Sequence, residues 1–312
     1  MDSLYSIFFA IPRFRFLGII DKAIDRTLAY FLKAWFNHFT VKKFKKEAPI
    51  AEYGLNKEVR EQQYIVSLTS FPGRINDIWA TVETLLRQSF KPDKLILWLF
   101  EDQFPGRVLP ESLQSLTKRG LTVEFVEKNL RSHTKYYYAF KQYPNAIVIT
   151  VDDDIYYPKD TLKNLVAMHR EHPRAVAANR VHKMEFEGKE LKPYRQWSHN
   201  NKDFKEPSYL LVATGAGGVL YPPGSYHDDI FDDKLFCEIC YMADDLWLKA
   251  ATLRNNTAVV TNNVYTRDFV TTGETQKVTL VSDNSHGGGN DVQLKRVCEH
   301  YNLDVYAICK DK

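Results

Sequence analysis

The sequence predicts an α/β protein whose mostly parallel sheet is covered by helices on both faces. Apolar, β-branched runs alternate with segments of helical periodicity, and the runs are nearly continuously apolar, as in strands buried on both faces. Turn-forming or acidic residues follow the carboxyl ends of two of these runs. The 312 residues are 44% hydrophobic and 26% charged, a composition that excludes a disordered tail, a collagen-like fibre and a coiled-coil rod.

The first half of the predicted domain begins with a strand that is ended by the turn signal Phe71-Pro72-Gly73. Strands and helices then alternate. The predicted elements are a strand over 64–70, a helix over 78–88, a strand over 95–100, a helix over 109–119 and a strand over 121–126.

The second half starts with a buried strand over 146–151 that runs directly into three aspartates. After it the pattern becomes more irregular. The predicted elements are a helix over 161–172, an extended segment over 175–178, a helix over 243–253, a strand over 258–261 and a final helix over 291–301.

Residues 1–50 differ from the rest in charge, with nine Lys or Arg and four acids, a balance of +5. Their longest uncharged stretch, residues 3–12, is too short for a spanning helix, which needs roughly 20 apolar residues. Apolar residues recur at helical spacing over 19–32, and basic residues cluster at 42–46. We expect a basic amphipathic helical extension that anchors the protein to an anionic membrane surface. The alternative is a helix packed on the body or on a partner subunit. The main domain is predicted over 60–312.

Two bulk properties restrict partners and compartment. The net charge of +3 is too small to indicate nucleic-acid binding. Four cysteines are too few for a disulfide scaffold, which favours a reducing compartment. We therefore expect a cytoplasmic protein, peripheral on the inner face of the cytoplasmic membrane, without a nucleic-acid partner.

The acidic triplet Asp152-Asp153-Asp154 is the strongest chemical signal. Adjacent carboxylates repel one another, and a cation between them lowers that cost. Carboxylate oxygens suit Mg²⁺ or Mn²⁺, which keep positions open for phosphate oxygens. Because side chains alternate along a strand, we expect Asp152 and Asp154 to face a ligand and Asp153 to point away. The alternative is a solvated acidic turn.

A basic cluster at 131–138 precedes the strand that bears the acids. Lys135 could hold a phosphate as a point charge, and Arg131 could hold one through two parallel hydrogen bonds. Tyr136 and Tyr137 could stack on a base or a sugar. The alternative is a solvated helix start with buried tyrosines.

Three residues follow the first strand at the edge where ligands bind in parallel sheets. Thr69, Phe71 and Arg74 lie where a nucleotide base would be expected. The alternative is a plain turn with a capping arginine.

Asp244 and Asp245 open a predicted helix. Either could be a general base aimed at an acceptor hydroxyl, but helix capping explains acids at this position equally well. Trp247, in the same helix, is a candidate contact for the acceptor sugar.

The glycine-rich segment 214–218 allows backbone to approach a ligand closely, and we expect Gly217 and Gly218 on the acceptor side. It lacks the spacing of a phosphate-binding loop or a dinucleotide fingerprint. His286, in a flexible segment, is a candidate late ligand for metal or phosphate, with a solvent-exposed histidine as the alternative.

Several blocks in this order and spacing resemble the GT-A-fold glycosyltransferases, most closely bacterial enzymes that build capsular or lipopolysaccharide-type surface glycans. The resemblance covers roughly residues 60–300. The blocks are residues 67–74, 131–138, 149–155, 214–223 and 243–247.

The resemblance implies a GT-A-like, Rossmann-like fold and a nucleotide-sugar donor, most often UDP-linked. It implies a divalent metal, Mn²⁺ or Mg²⁺, held by an Asp-x-Asp motif that Asp152 and Asp154 match. An acid at a helix start deprotonates the acceptor in similar enzymes, a position matched by Asp244 or Asp245, with Asp245 preferred. The acceptor would be a glycan or a lipid-linked glycan, and a carboxylate base implies inversion at the anomeric carbon.

Three other functions remain open from the sequence. A metal-dependent phosphoesterase or nucleotide hydrolase could use the same acidic cluster. A non-catalytic protein could bind nucleotide or glycan without turnover. A retaining transferase differs only in the configuration of its product.

Overall fold

The structure, a computed structural model, describes residues 2–10, 19–47, 51–199, 204, 206–265, 268–273 and 288–310. The α-helices, in chain order, are α1 Asp2–Ala10, α2 Ile19–Trp35, α3 Val41–Glu47, α4 Ile78–Leu86, α5 Glu111–Thr117, α6 Thr134–Gln142, α7 Thr161–Glu171, α8 Asp233–Ile239, α9 Asp244–Arg254, α10 Gly289–Tyr301 and α11 Val305–Lys310. A π-helical stretch, Phe36–Thr40, joins α2 to α3.

The strands fall into one large sheet and two small ones. In chain order they are β1 Tyr64–Thr69, β2 Lys94–Phe100, β3 Leu121–Val126, β4 Ile147–Thr150, β5 Val176–Ala178, β6 Val181–Lys183, β7 Phe186–Glu187, β8 Glu190–Leu191, β9 Ser198–His199, β10 Leu211–Ala213, β11 Val219–Tyr221 and β12 Val259–Val260.

The large sheet has seven strands in the order β12-β5-β11-β4-β1-β2-β3. The pairs β1–β2, β2–β3, β1–β4 and β5–β12 are parallel, and β11 runs antiparallel to both β4 and β5. The predicted mostly parallel α/β sheet is therefore confirmed.

The core lies on both faces of this sheet, which explains why its strands are almost continuously apolar. Ile65 of β1 joins the cluster under α6 and α9, whereas its neighbours Val66 and Leu68 join the cluster under α4 and α7. Successive side chains of a strand point to opposite faces, so both parities must be apolar when helices cover both.

The N-terminal helices pack on the body. Tyr5 and Phe8 of α1 are buried, and Phe36 contacts them together with Tyr156 from the loop after β4. The Tyr5 hydroxyl donates to the Tyr156 carbonyl oxygen at 2.6 Å and accepts from the backbone N–H of Val270 at 3.0 Å. The alternative expectation, a segment packed on the body, thus describes one face of this extension.

The opposite side of the extension is apolar and exposed. Of the ten exposed large hydrophobic side chains among the described residues, five lie before residue 48. These five are Ile7, Ile24, Tyr30, Phe31 and Phe39. Among the described helices, none combines the length and the apolar character that a bilayer crossing requires.

Sequence periodicity located the long elements within a few residues and missed the short ones. The last predicted helix begins at Gly289 rather than 291, and α11 was not predicted. Strands β6 to β10 have two or three residues each, too few for a periodic pattern to stand out.

Replacing Tyr5 by Phe tests how firmly α1 is attached. The change removes a hydroxyl that satisfies two buried backbone groups, so we expect the free energy of unfolding to fall by about 1–3 kcal/mol. Urea denaturation of Tyr5→Phe measures this. The matched control is Tyr30→Phe, because the Tyr30 side chain is 69% exposed and should change little. Equal stability of both variants would show that α1 is only loosely attached.

Candidate active site

The candidate site lies at the sheet edge where β1, β4 and β5 end. The parallel strands place the loop after Thr69, the acidic turn after Thr150 and the Asn179–Arg180 pair at this edge. Because β11 is antiparallel, its preceding loop at 214–218 reaches the same edge. This is the edge at which ligands bind in open parallel sheets.

Lys135 is the central cation of the site. Its Nζ lies 2.8 Å from Asp152 Oδ1 and 3.1 Å from Asp244 Oδ2, and only 6% of its side chain is exposed. It therefore joins the start of α6 to the acidic turn after β4 and to the start of α9. The carboxyl group of Asp245 is also close enough to Lys135 to interact with it electrostatically.

Two polar side chains inside otherwise apolar strands hold the start of α6 in place. The Ser67 hydroxyl of β1 donates to the Lys135 carbonyl oxygen, and the Trp98 indole N–H of β2 donates to Ser67 Oγ at 2.8 Å. All three residues are buried. The backbone that bears the Lys135 ammonium is thus fixed by the sheet itself.

Burial and charge move the two acids of α9 in opposite directions. Burial is the largest single influence and raises the pKa of Asp244, but Lys135, His133 and Ser132 together outweigh it and hold that pKa below the usual value. Burial, and then the charge of Asp244, raise the pKa of Asp245 to about 8. Asp245 is half-buried, and its Oδ2 accepts from the Gly215 N–H at 3.3 Å. Such splitting of neighbouring titratable groups typically separates acid and base roles.

The acidic turn does not follow strand alternation. Asp153 Oδ1 lies 2.5 Å and Asp154 Oδ2 3.2 Å from Arg74 Nη1, and Ser70 donates to Asp153. Asp152 instead faces Lys135. Strand alternation does not apply to these aspartates, because β4 ends at Thr150 and they occupy a turn. Asp152 still lies close enough to Asp154 to raise its pKa, so joint metal binding by the two stays a prediction.

The donor set suits a hard divalent ion. Burial, and then the charge of Asp153, raise the pKa of Asp154 to about 7 although Arg74 lowers it, so a further cation beside this carboxylate would be favourable. Mg²⁺ typically takes one or two carboxylates and leaves its other positions to water and phosphate. No cluster of three His, Cys, Asp or Glu suited to a metal occurs among the described residues. A metal site formed by Asp152, Asp154 and the phosphate oxygens of a bound ligand would need only two carboxylates, so it does not require such a cluster.

Three glycines shape the loop before β11. A Cβ on Gly215 would lie 2.7 Å from Asp152 Oδ1 and 2.9 Å from Lys135 Nζ. A Cβ on Gly217 would lie 2.8 Å from the backbone nitrogen of Arg180. Gly218 has a φ of +79°, which side chains rarely tolerate. Gly215 therefore contacts the charged site, whereas Gly217 and Gly218 shape the loop.

The other predicted donor residues lie near the edge with different partners. Thr69 donates to the Trp98 carbonyl oxygen, and the Arg74 guanidinium lies over the Phe71 ring at 5.6 Å. Arg131 is exposed and lies over the Tyr241 ring at 5.2 Å. Arg74 thus pairs with the acidic turn. Among the described residues, the contact of Arg131 is with Tyr241 and not with that turn.

Two aromatic assignments are wrong. Trp247 is 2% exposed and its indole N–H donates to the Ile230 carbonyl oxygen, so it is a core residue and not an acceptor contact. Tyr136 and Tyr137 are also buried and cannot stack on a base. Helical periodicity alone does not reveal that α6 and α9 are covered on nearly all sides. His286 lies outside the described residues.

Four residues of the edge were not predicted as site residues. Tyr157 lies beneath the acidic turn, where its hydroxyl accepts from the Asp152 N–H at 2.8 Å, and Ser70 holds Asp153. Arg180 contacts Thr214 and Asp268 after β5. Ser70 and Arg180 could have been predicted from the sequence, because they follow the strands β1 and β5 at the edge where ligands bind. The contacts of Tyr157 and Gly215 with Asp152 depend on the tertiary structure and could not.

Residues 73–221 match the sequence model described as glycosyl transferase family 2. The match covers just under half of the 312 residues. The matched segment agrees with the prediction of a GT-A-fold glycosyltransferase. The matched region runs from the loop after β1 to the end of β11, so it includes the acidic turn and Lys135 but not the two acids of α9.

The solved structures that align with this chain include Staphylococcus aureus TarS 1–349 in complex with UDP, at 18% identity over 78% of this chain and 72% of that chain, with a TM-score of 0.42. Another is the Pyrobaculum calidifontis mannosyltransferase PcManGT in complex with GDP-Man and Mn²⁺, at 13% identity over 77% of this chain and 65% of that chain, with a TM-score of 0.41. Against another structure of TarS 1–349 (18%, TM-score 0.39), the alignment covers 67% of this chain and 59% of that fragment, less than two thirds of its length. No curated protein matches the sequence significantly.

Replacing Lys135 by Met tests whether its ammonium holds the site together. The change leaves two carboxylates without their buried cation, so we expect a loss of about 3–5 kcal/mol of unfolding free energy. The control is Lys128→Met, whose ion pair with Asp233 is exposed and should contribute about 0–1 kcal/mol. Equal losses in urea denaturation would contradict a structural role for the Lys135 charge.

Proposed function

We propose that this chain transfers a sugar from a nucleotide-sugar donor, UDP-linked, to a hydroxyl of a glycan or lipid-linked glycan acceptor, with inversion of configuration. The observation that carries the proposal is the arrangement around Lys135. A buried ammonium, an acidic turn and a half-exposed carboxylate of raised pKa meet at one sheet edge. The family 2 match over residues 73–221 supports the same reaction class.

Departure of the nucleoside diphosphate is the step that needs positive charge. As the bond between the anomeric carbon and the diphosphate oxygen breaks, negative charge develops on that oxygen. Lys135 and Arg74 are the two cations that contact the acidic turn among the described residues. Fixed positive charge in a partly buried site stabilises the developing charge without reorganisation.

Asp152 and Asp154 would hold a divalent cation, Mn²⁺ or Mg²⁺, against the diphosphate. When bound, such an ion acts as a Lewis acid toward the leaving group. Asp153 takes a different role, because Ser70 and Arg74 both bind it and fix the turn from below.

Asp245 would accept the acceptor proton. Its pKa of about 8 lies near a working pH, the condition under which a general base is most effective. Asp244 is less suited, because Lys135 holds it as a buried partner. With a carboxylate base, the acceptor oxygen attacks from the side opposite the diphosphate, which inverts the anomeric configuration.

We further propose a role in bacterial surface polysaccharide synthesis at the inner face of the cytoplasmic membrane. The support is the resemblance of the sequence blocks and the character of the extension. Its exposed apolar side chains, together with Lys42, Lys43, Lys45 and Lys46, suit the headgroup layer of an anionic bilayer.

Donor binding provides the primary test. Nucleotide sugars that bind the native state should raise the melting temperature, and we expect the largest rise for a UDP-sugar with Mn²⁺. Asp152→Asn and Asp154→Asn should each lose the manganese-dependent part of the rise. The control Asp102→Asn, at an exposed turn, should keep it. Release of phosphate or nucleotide without an acceptor would instead indicate a hydrolase, and donor binding without product a binding protein.

Asp245→Asn tests the base. We expect kcat to fall by about 10²–10⁴-fold while donor affinity changes little. Since the deprotonated carboxylate is the active form, kcat/KM of the wild type should rise about tenfold per pH unit below pH 8 and level off above it. That limb should disappear in the variant. A large loss of donor affinity with chemistry intact would refute the assignment.

A further inference from the structure

A cavity of about 210 Å³ lies between the N-terminal extension and the body, and none of its lining residues belongs to the candidate active site. Its walls come from α2, the π-helical stretch, α3, α4 and the loop before α7. The lining residues are Trp35, Phe39, Thr40, Lys43, Phe44, Thr84, Arg87 and Lys159. The cavity admits a group much larger than a water molecule.

The lining combines three cations with three aromatic rings, so it suits an anion attached to an apolar body. Lys43 and Lys159 are exposed, and Arg87 lies over the Phe44 ring at 4.6 Å. Acids are also present: Arg87 pairs with Glu47 at 2.7 Å and with Glu83 at 2.6 Å, and Lys43 lies 3.7 Å from Glu47. Lys159 has no ion pair among the described residues, so positive charge remains in excess.

Two polar atoms in this wall are buried without a hydrogen-bond partner among the described residues. One is the Thr40 hydroxyl, in a residue that is only 3% exposed, and the other is Nη2 of Arg87. Unsatisfied buried donors are costly, so a rotation that turns either donor toward a phosphate oxygen in the cavity would be favourable. Thr40 and Arg87 both line the cavity, so its wall holds two unpartnered polar atoms close behind its surface.

The apolar surroundings indicate that the anion belongs to a lipid. Phe39 is 54% exposed at the cavity, and Tyr30 and Phe31 extend an exposed apolar side along α2. Free phosphate would gain nothing from these rings. A phospholipid would place its phosphate among the cations and its glycerol and first acyl carbons against the rings.

We propose that this cavity is a binding site for the phosphate headgroup of an anionic phospholipid. The inference rests on the proposed membrane attachment, because the membrane would supply the lipid. It goes further by assigning recognition of the lipid phosphate to one cavity rather than to the general positive charge of the extension. The candidate active site takes no part in it.

The test uses the full chain and a soluble probe, dihexanoyl phosphatidylglycerol below its micellar concentration, in titration calorimetry. We expect one site per chain. Lys43→Gln/Lys159→Gln should weaken binding by about tenfold or more, because each nearby charge contributes to attraction. The control Lys189→Gln/Lys295→Gln makes the same charge change at exposed positions elsewhere and should stay within twofold.

Thr40→Val probes the buried donor with a side chain of the same shape. It should weaken the probe about fivefold, while the unfolding free energy without ligand stays equal or rises, because the hydroxyl has no partner to lose. Dihexanoyl phosphatidylcholine and inorganic phosphate should bind at least tenfold more weakly. Equal affinity for inorganic phosphate, or unchanged affinity in both cavity variants, overturns the proposal.

Vesicle flotation separates this inference from the proposed attachment. Phosphatidylcholine vesicles with one quarter phosphatidylglycerol should carry the wild type to the top of the gradient. Flotation without binding of the short-chain lipid overturns the cavity site alone. Binding of the short-chain lipid without flotation overturns the attachment alone. Sugar transfer to a soluble acceptor should have the same rate in both double-lysine variants as in the wild type. If the wild type itself shows no transfer, only the transferase proposal is refuted.

Discussion

The candidate site depends on a single buried cation. Lys135 joins three elements that are distant in sequence, and its charge favours the ionised form of the buried Asp244. The same charge separates the two acids of α9, because Asp244 takes the ion pair and Asp245 does not. A buried ion pair adds little stability by itself, but removing one partner leaves an uncompensated charge. The main effect of Lys135 is therefore to fix the positions of the carboxylates that pair with it.

The sheet topology explains how so many polar groups come together. Parallel strands bring the ends of β1, β4 and β5 to one edge, and the single antiparallel strand β11 adds a loop there without a crossover helix. Apolar residues fill both faces, which leaves the edge as the place where polar side chains can reach a ligand. Ser67 and Trp98 connect the sheet interior to this edge, because their hydrogen bonds fix the backbone of Lys135.

The N-terminal extension has two faces with different partners. One is integrated into the fold through Tyr5, Phe8 and Phe36, and the other leaves aromatic side chains exposed beside lysines. The expectations of a packed helix and of a surface-binding helix were therefore not exclusive, because an amphipathic helix needs only one stripe for the body. The cavity beneath the extension lies where α3 packs against α4.

The sequence by itself determined the α/β class, the long strands and helices, and the acidic turn with its basic and glycine-rich neighbours, because these depend on local periodicity and on residue chemistry. Only the tertiary structure decided which of these groups meet. It turned Asp152 toward Lys135 and Asp154 toward Arg74, buried Trp247 and both tyrosines of α6, and placed Gly215 against the ion pair. Side-chain direction in a turn and the burial of a helix surrounded by other elements depend on contacts between residues far apart in the chain, and no local pattern records those contacts.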